Sequence, residues 1–167
     1  MPRDGYNRLL KGLRGQKEVI SSGSFSQECQ IIDTRSWDKT DKLRRRRDGK
    51  LSSVLNGHTY AVSNSSFSPD GETIATASWD NTVKIWQTNG KLLKTLSGHQ
   101  DRVTSVNFSA NGKLIASSSA DKTVKLWKTD GTLINTLKEH SAEVWRVNFS
   151  PDDKLSDSAG DVEPFKL

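Results

Sequence analysis

Residues 57–86 read GHTYAVSNSSFSPDGETIATASWDNTVKIW, and residues 98–127 read GHQDRVTSVNFSANGKLIASSSADKTVKLW. The two stretches align without a gap, with Gly-His opening each and a Trp closing it. The three histidines of the chain, His58, His99 and His140, stand at intervals of 41 residues. A chain that repeats itself at such a period builds one small unit several times over, each unit burying a face on its neighbour.

Within the unit the local signals are those of short strands. In residues 98–137 the β-rich runs 103–108, 113–119, 123–127 and 132–137 are separated by turns at Asn-Gly, Ala-Asp-Lys and Thr-Asp-Gly. Four antiparallel strands are the expectation. Val106 and Phe108 alternate as one face of a strand, but Val103 is a residue out of phase, and the same offset recurs at Val62/Phe67 and at Val144/Val147/Phe149. The recurrence predicts a β-bulge. A period of about 40 to 45 with an early Gly-His and a late Trp points to an all-β chain of four-stranded propeller blades.

Outward from the two clear copies the pattern wears down. At an offset of 42, Phe25 and Ser26 answer Phe67 and Ser68, Ile32 answers Ile74, and residues 36–40 (SWDKT) answer residues 78–82 (SWDNT). Leu9, Leu13 and Gly15 likewise answer Leu51, Leu55 and Gly57, so residues 8–13 are expected to be the outer strand of a preceding blade. One extra residue between Leu43 and Gly49 changes the offset, and the run Arg44–Arg47 fills that turn. Beyond His140 the fourth copy keeps register through Val144, Val147, Phe149, Ser150, Pro151 and Asp152, then loses its apolar strand pattern from Lys154 onward, where either a frayed strand pair or disorder is expected. Pro164 cannot donate to a central ladder. The organisation is thus a disordered terminus (1–7), an outer strand (8–13), a degenerate copy (15–55), two full copies (57–96 and 98–137), a partial copy (139–160) and a degenerate tail (161–167).

Composition removes several classes. The single cysteine, Cys29, leaves no intrachain disulfide and suits a reducing, cytoplasmic setting. No zinc spacing, signal peptide or membrane-length apolar run is written in the chain. Apolar residues are 32% of it and the net charge is +5, much of it in the Arg44–Arg47 run. That run reads first as a solvated turn and only second as a nucleic-acid contact.

On these motifs the chain resembles the WD-repeat proteins, in particular the regular repeats found in bacteria. The resemblance implies that each copy supplies the outer strand of one blade followed by the three inner strands of the next, each blade being braced by a tetrad of indole, hydroxyl, imidazole and carboxylate. Carried over by residue, the braces are Trp86, Ser78, His58 and Asp80 in the second copy and Trp127, Ser119, His99 and Asp121 in the third. An indole only donates, a hydroxyl and a neutral imidazole do both, and a carboxylate accepts, so the four can relay. Ser, His and Asp also make up a hydrolase triad, but an active site is rarely built twice in tandem and no nucleophile elbow is present. The first copy has Gln16 and Arg44 where His and Trp belong, leaving Ser36 and Asp38; the fourth keeps His140, with Asp161 a doubtful match. Cys29 stands where Gly71 and Gly112 make the turn in the full copies.

The resemblance also places function on a rim formed by bulge-flanking and turn residues: Trp37, Trp79, Arg102, Thr104, Glu143 and Trp145, with Ala61, Ser63 and Ala120 beside them. Trp and Arg are enriched at interface hot spots. The expected function is a non-catalytic scaffold for a protein or peptide partner, without cofactor, metal or membrane. Two other readings remain: the sensor segment of a larger signalling NTPase or kinase, and weak nucleic-acid binding through the basic run. Three blades and part of a fourth fall short of the usual propeller, so the chain is expected to be a fragment or an open arc. Its missing blades would come from another chain or from the rest of the same protein, and an open arc should oligomerise or aggregate.

Overall fold

A computed structural model describes residues 20–26, 30–37, 39–150 and 155–160. The Val-, Ile- and Thr-rich runs between the Gly, Asn and Asp turns all become strands, and among the described residues there is no helix. The first sheet is β1 (Ile20–Phe25), β2 (Ile31–Ser36), β3 (Thr40–Arg45) and β4 (Leu51–Asn56). The second is β5 (Val62–Phe67), β6 (Thr73–Ser78), β7 (Thr82–Gln87) and β8 (Leu92–Ser97), and the third is β9 (Val103–Phe108), β10 (Leu114–Ser119), β11 (Val124–Lys128) and β12 (Leu133–Leu137). Each is an antiparallel meander in chain order. A two-stranded sheet follows, β13 (Val144–Phe149) with β14 (Leu155–Gly160).

Of the two outcomes expected for this part of the chain, a frayed strand pair or disorder, the strand pair is found over residues 155–160. The segment after Lys154 lacks the apolar alternation of the other copies, yet residues 155–160 run antiparallel to β13 from Phe149↔Leu155 to Val144↔Gly160. The proposed strand at 8–13, the terminus at 1–7, the tail at 161–167, and Gln16, Cys29, Asp38, Asp161 and Pro164 lie outside the described residues.

The out-of-phase valines are bulges. Val62 pairs with Ser78 and Asn64 with Ala77, so Ser63 is the extra residue. Thr104 is extra in β9 and Trp145 in β13 by the same count. A bulged residue turns its side chain out of the pleat, and two of these three use that freedom to tie one sheet to the next. The Ser63 hydroxyl lies 2.6 Å from the Val103 carbonyl, and that of Thr104 donates to the Val144 carbonyl.

Between the second and third sheets the core is Ala75, Ala77, Val83 and Ile85 against Val103, Val106, Ile115 and Trp127. Small residues on one face let the two sheets approach, while the larger ones opposite fill the gap. Ala116 and Val124 meet Val144 and Val147 at the next interface. The first interface is different in kind. Leu43 and Leu55 pack on Ile74 and Trp86, but Asp33, Arg35 and Asp41 are buried beside them, at the positions answered by Ala75, Ala77 and Val83.

Candidate functional site: a tryptophan rim over two polar relays

Each full copy contains a chain of hydrogen bonds from indole to carboxylate. In the second sheet the Trp86 indole donates to the Thr76 hydroxyl at 2.8 Å, the hydroxyl meets His58 Nε2 at 2.8 Å, and His58 Nδ1 meets the Asp80 carboxylate at 2.8 Å. The third sheet repeats this with Trp127, Ser117, His99 and Asp121 at 2.9, 2.8 and 2.8 Å. With an imidazole protonated on Nδ1, every donor in the chain has one acceptor: indole to hydroxyl, hydroxyl to Nε2, and Nδ1–H to carboxylate. Burial pushes the His99 imidazole below its ordinary value, which favours this neutral form over the pull of Asp121.

The hydroxyls are not the expected ones. Ser78 and Ser119 were assigned to the relay, but Thr76 and Ser117, two residues earlier on the same face, occupy it. Register explains the difference. Trp86 is paired with Ile74, and Trp127 with Ile115, so each indole reaches one step along the strand and stops well short of the end. Ser78 and Ser119 instead close the turn: their hydroxyls donate to the carbonyls of Tyr60 and Asp101 and accept from the amides of Asp80 and Asp121.

Burial alone would raise the carboxyls of Asp80 and Asp121. Hydrogen bonds from the imidazole, from Thr82 or Thr123, and from the amide of Thr59 or Gln100 outweigh it and hold both below the usual range. Those bonds anchor the loop carrying Gly-His to the turn that carries the next rim residue. The glycine of the motif has a packing reason, since a Cβ on Gly57 would come within 3.0 Å of the Trp86 ring. Gly57→Ala is expected to cost about 1 to 3 kcal/mol by overpacking, read as a lower midpoint in urea unfolding.

In the first sheet Thr34 sits at the relay hydroxyl position, but its hydroxyl donates to the Lys42 carbonyl, and Arg44 in the indole position donates to the Gly49 carbonyl. There is no His–indole brace among its described residues.

On top of these relays the turns and bulges bring the six expected rim residues into one assembly. The rings of Trp37 and Trp79 lie 6.1 Å apart, tilted by 44°. The Arg102 guanidinium stands 5.5 Å from the Trp79 ring and 5.6 Å from the Trp145 ring, bridging indoles that belong to different sheets. Glu143 fixes it by accepting from Nη2 on both carboxylate oxygens, at 3.1 and 2.9 Å. The result is a row of indole, indole, guanidinium and indole. Trp37, Trp79 and Trp145 remain 54%, 41% and 54% exposed, around a recess of about 230 Å³ floored by Ala61, Val62, Ser63 and Thr104. Thr104 differs from its expected role, because its hydroxyl is committed to Val144 and is a strap between sheets, not a contact group.

The basic run is partly absorbed by its own turn. Arg44 is buried, and Arg45 pairs with Asp48 at 3.0 Å.

Four-stranded meanders packed face to face in chain order, each full copy braced by indole, hydroxyl, imidazole and carboxylate, define a β-propeller repeat protein. The model of the family described as WD domain, G-beta repeat matches residues 49–87, 90–128 and 131–161, more than half of the chain. The chain belongs to the WD40 family. Solved structures similar to it include those of U3-55K and of the RRP9 WD40 repeats, each with a TM-score of 0.76 and 24% sequence identity over 79% of this chain. The matches cover 43% and 42% of those chains, so this chain spans less than half of their length. At that identity the likeness is one of fold. No curated protein sequence matches the chain.

Proposed function

We propose that the chain is a non-catalytic scaffold which binds a protein or peptide through the tryptophan rim. The observation that carries this reading is the row Trp37–Trp79–Arg102–Trp145. Three indoles stay about half exposed around one recess, at a cost in exposed apolar surface that a folded protein seldom carries without use. Trp and Arg are also the side chains that dominate interface energies. The hydroxyl and imidazole of each relay are buried, and hydroxyl, imidazole and carboxylate are bonded to one another, which supports a structural role for them over a hydrolytic one.

The arrangement predicts that Trp79 matters more than any relay residue for binding and less for stability. Trp79→Ala should weaken capture of a partner by at least about tenfold, the effect of losing a hot-spot ring, with circular dichroism unchanged. Equal recovery of the same partners by wild type and by Trp79→Ala in paired pull-downs would remove the rim from consideration.

A further inference from the structure

We infer that the occupant of the rim recess is an uncharged, proline-rich segment of extended peptide; this deepens the rim reading and rests on it. The inference comes from which polar groups the recess leaves open. The indole N–H groups of Trp86 and Trp127 are used in the relays, whereas those of Trp37, Trp79 and Trp145 have no hydrogen-bond partner among the described residues. The two hydroxyls in the floor offer no donor. Ser63 lies against the carbonyls of Val103 and Ala77, and Thr104 donates to that of Val144. Among the described residues the cation in this row, Arg102, has an indole on each side and Glu143 at its tip, and both oxygens of Glu143 accept from it.

Among the described residues the recess therefore offers flat ring faces and unpartnered indole N–H groups around it, with no free carboxylate and no uncompensated cation. A basic peptide would find no counter-ion and would meet Arg102. An acidic one would find the single guanidinium already neutralised. The complementary ligand is apolar, rich in acceptors and poor in donors. Proline meets that description because each residue contributes a carbonyl and a flat ring but no N–H. In the extended polyproline helix the carbonyls all face outward, unpaired, and successive residues advance about 3.1 Å. The 6.1 Å between the Trp37 and Trp79 rings is close to two such steps. The ordering cost of binding is also small, since the helix is already formed in the free peptide.

The test is fluorescence anisotropy of the full chain with four short labelled peptides of equal length: one of proline and leucine, the same with each proline changed to alanine, one acidic and one basic. The proline peptide is expected to bind at least about tenfold more tightly than its alanine counterpart, with little change between low and high salt. Trp79→Ala should abolish the difference, while Trp79→Phe, which keeps a ring but lacks the N–H, should fall between it and wild type. If the acidic or basic peptide binds best and Trp79→Ala weakens it, the proline inference is overturned and the rim reading survives. If no peptide binds in a manner that depends on Trp79 or Trp145, both are overturned.

Discussion

Thr76→Val should destabilise the chain by about 2 to 5 kcal/mol, whereas Ser78→Ala, two residues away on the same face of β6, should cost about 1 kcal/mol. The valine has the shape of threonine, so the difference isolates the hydroxyl. In its absence the Trp86 indole N–H has no acceptor and His58 Nε2 has no donor, both at buried positions. Each buried polar group left unpaired costs about 1 to 3 kcal/mol, and groups in one network fail together. Ser78 holds only turn contacts, to the Tyr60 carbonyl and the Asp80 amide; although Ser78 is itself buried, these two partners belong to residues that are not, so fewer fully buried groups lose a bond. Urea unfolding of both variants checks the ordering. A larger loss from Ser78→Ala than from Thr76→Val would contradict the relay as drawn. Ser117→Ala and Ser119→Ala form the matching pair in the third sheet.

Asp41→Asn is expected to stabilise the chain, by about 1 to 3 kcal/mol at neutral pH, and to flatten its stability against pH. Asp33, Arg35 and Asp41 lie buried between the first two sheets, where the next interface has Ala75, Ala77 and Val83. Asp33 is well served. It accepts from Ser24 and Ser65 and contacts Arg35 at 3.3 Å, all through Oδ2. No side-chain donor reaches either oxygen of Asp41, the Lys42 amide giving it only a weak favourable contact, and Oδ1 of Asp33 is also unpartnered. One proton on Asp41 would satisfy both residues and make the trio electrically neutral. β5, packed against them, brings only uncharged side chains to the junction. Burial is the main cause that raises the Asp41 carboxyl well above 3.8, and the charge and hydrogen bond of Asp33 raise it further against the opposing pull of Arg35.

The sign follows from linkage. A carboxyl that holds its proton more tightly when folded contributes stability that is complete below its unfolded value and lost as the pH rises through the folded one. Asp80 and Asp121 act in the opposite sense: held below the usual range, they contribute above their unfolded values and lose that contribution as the pH falls through their folded values. Wild type should therefore weaken on both sides of an optimum. Asparagine at 41 keeps a donor toward Asp33 and cannot ionise, so only the loss on the alkaline side should disappear. Thermal midpoints measured from mildly acidic to alkaline pH test this, and an unchanged slope in the variant would refute it.

Most of the architecture is written in the chain itself. The 41-residue recurrence, the β-branched runs and the out-of-phase valines specified three four-stranded units, their turns and the bulges at Ser63, Thr104 and Trp145, because these depend on local periodicity and turn chemistry. That Trp37, Trp79, Arg102, Glu143 and Trp145 lie together was also legible, since the same bulges and turns set their positions. β14 was legible only as one of two outcomes, a frayed strand pair or disorder: its sequence lacks alternation, and it forms by pairing with β13.

What the sequence by itself determined is which residue types recur at which spacing, since period and propensity are properties of the chain. Thr76 and Ser78, or Ser117 and Ser119, are equivalent at that level, both hydroxyls on one face. Only the cross-strand register, which sets Trp86 opposite Ile74, decides which of them the indole can reach. The same holds between sheets. Asp33, Arg35 and Asp41 look like ordinary polar strand residues until a second sheet closes over them, and Arg102 becomes the bridge between two indoles only because residues 79 and 145 come from sheets on either side of it. Side-chain identity is local, whereas burial and partnership are created by packing between segments distant in the chain.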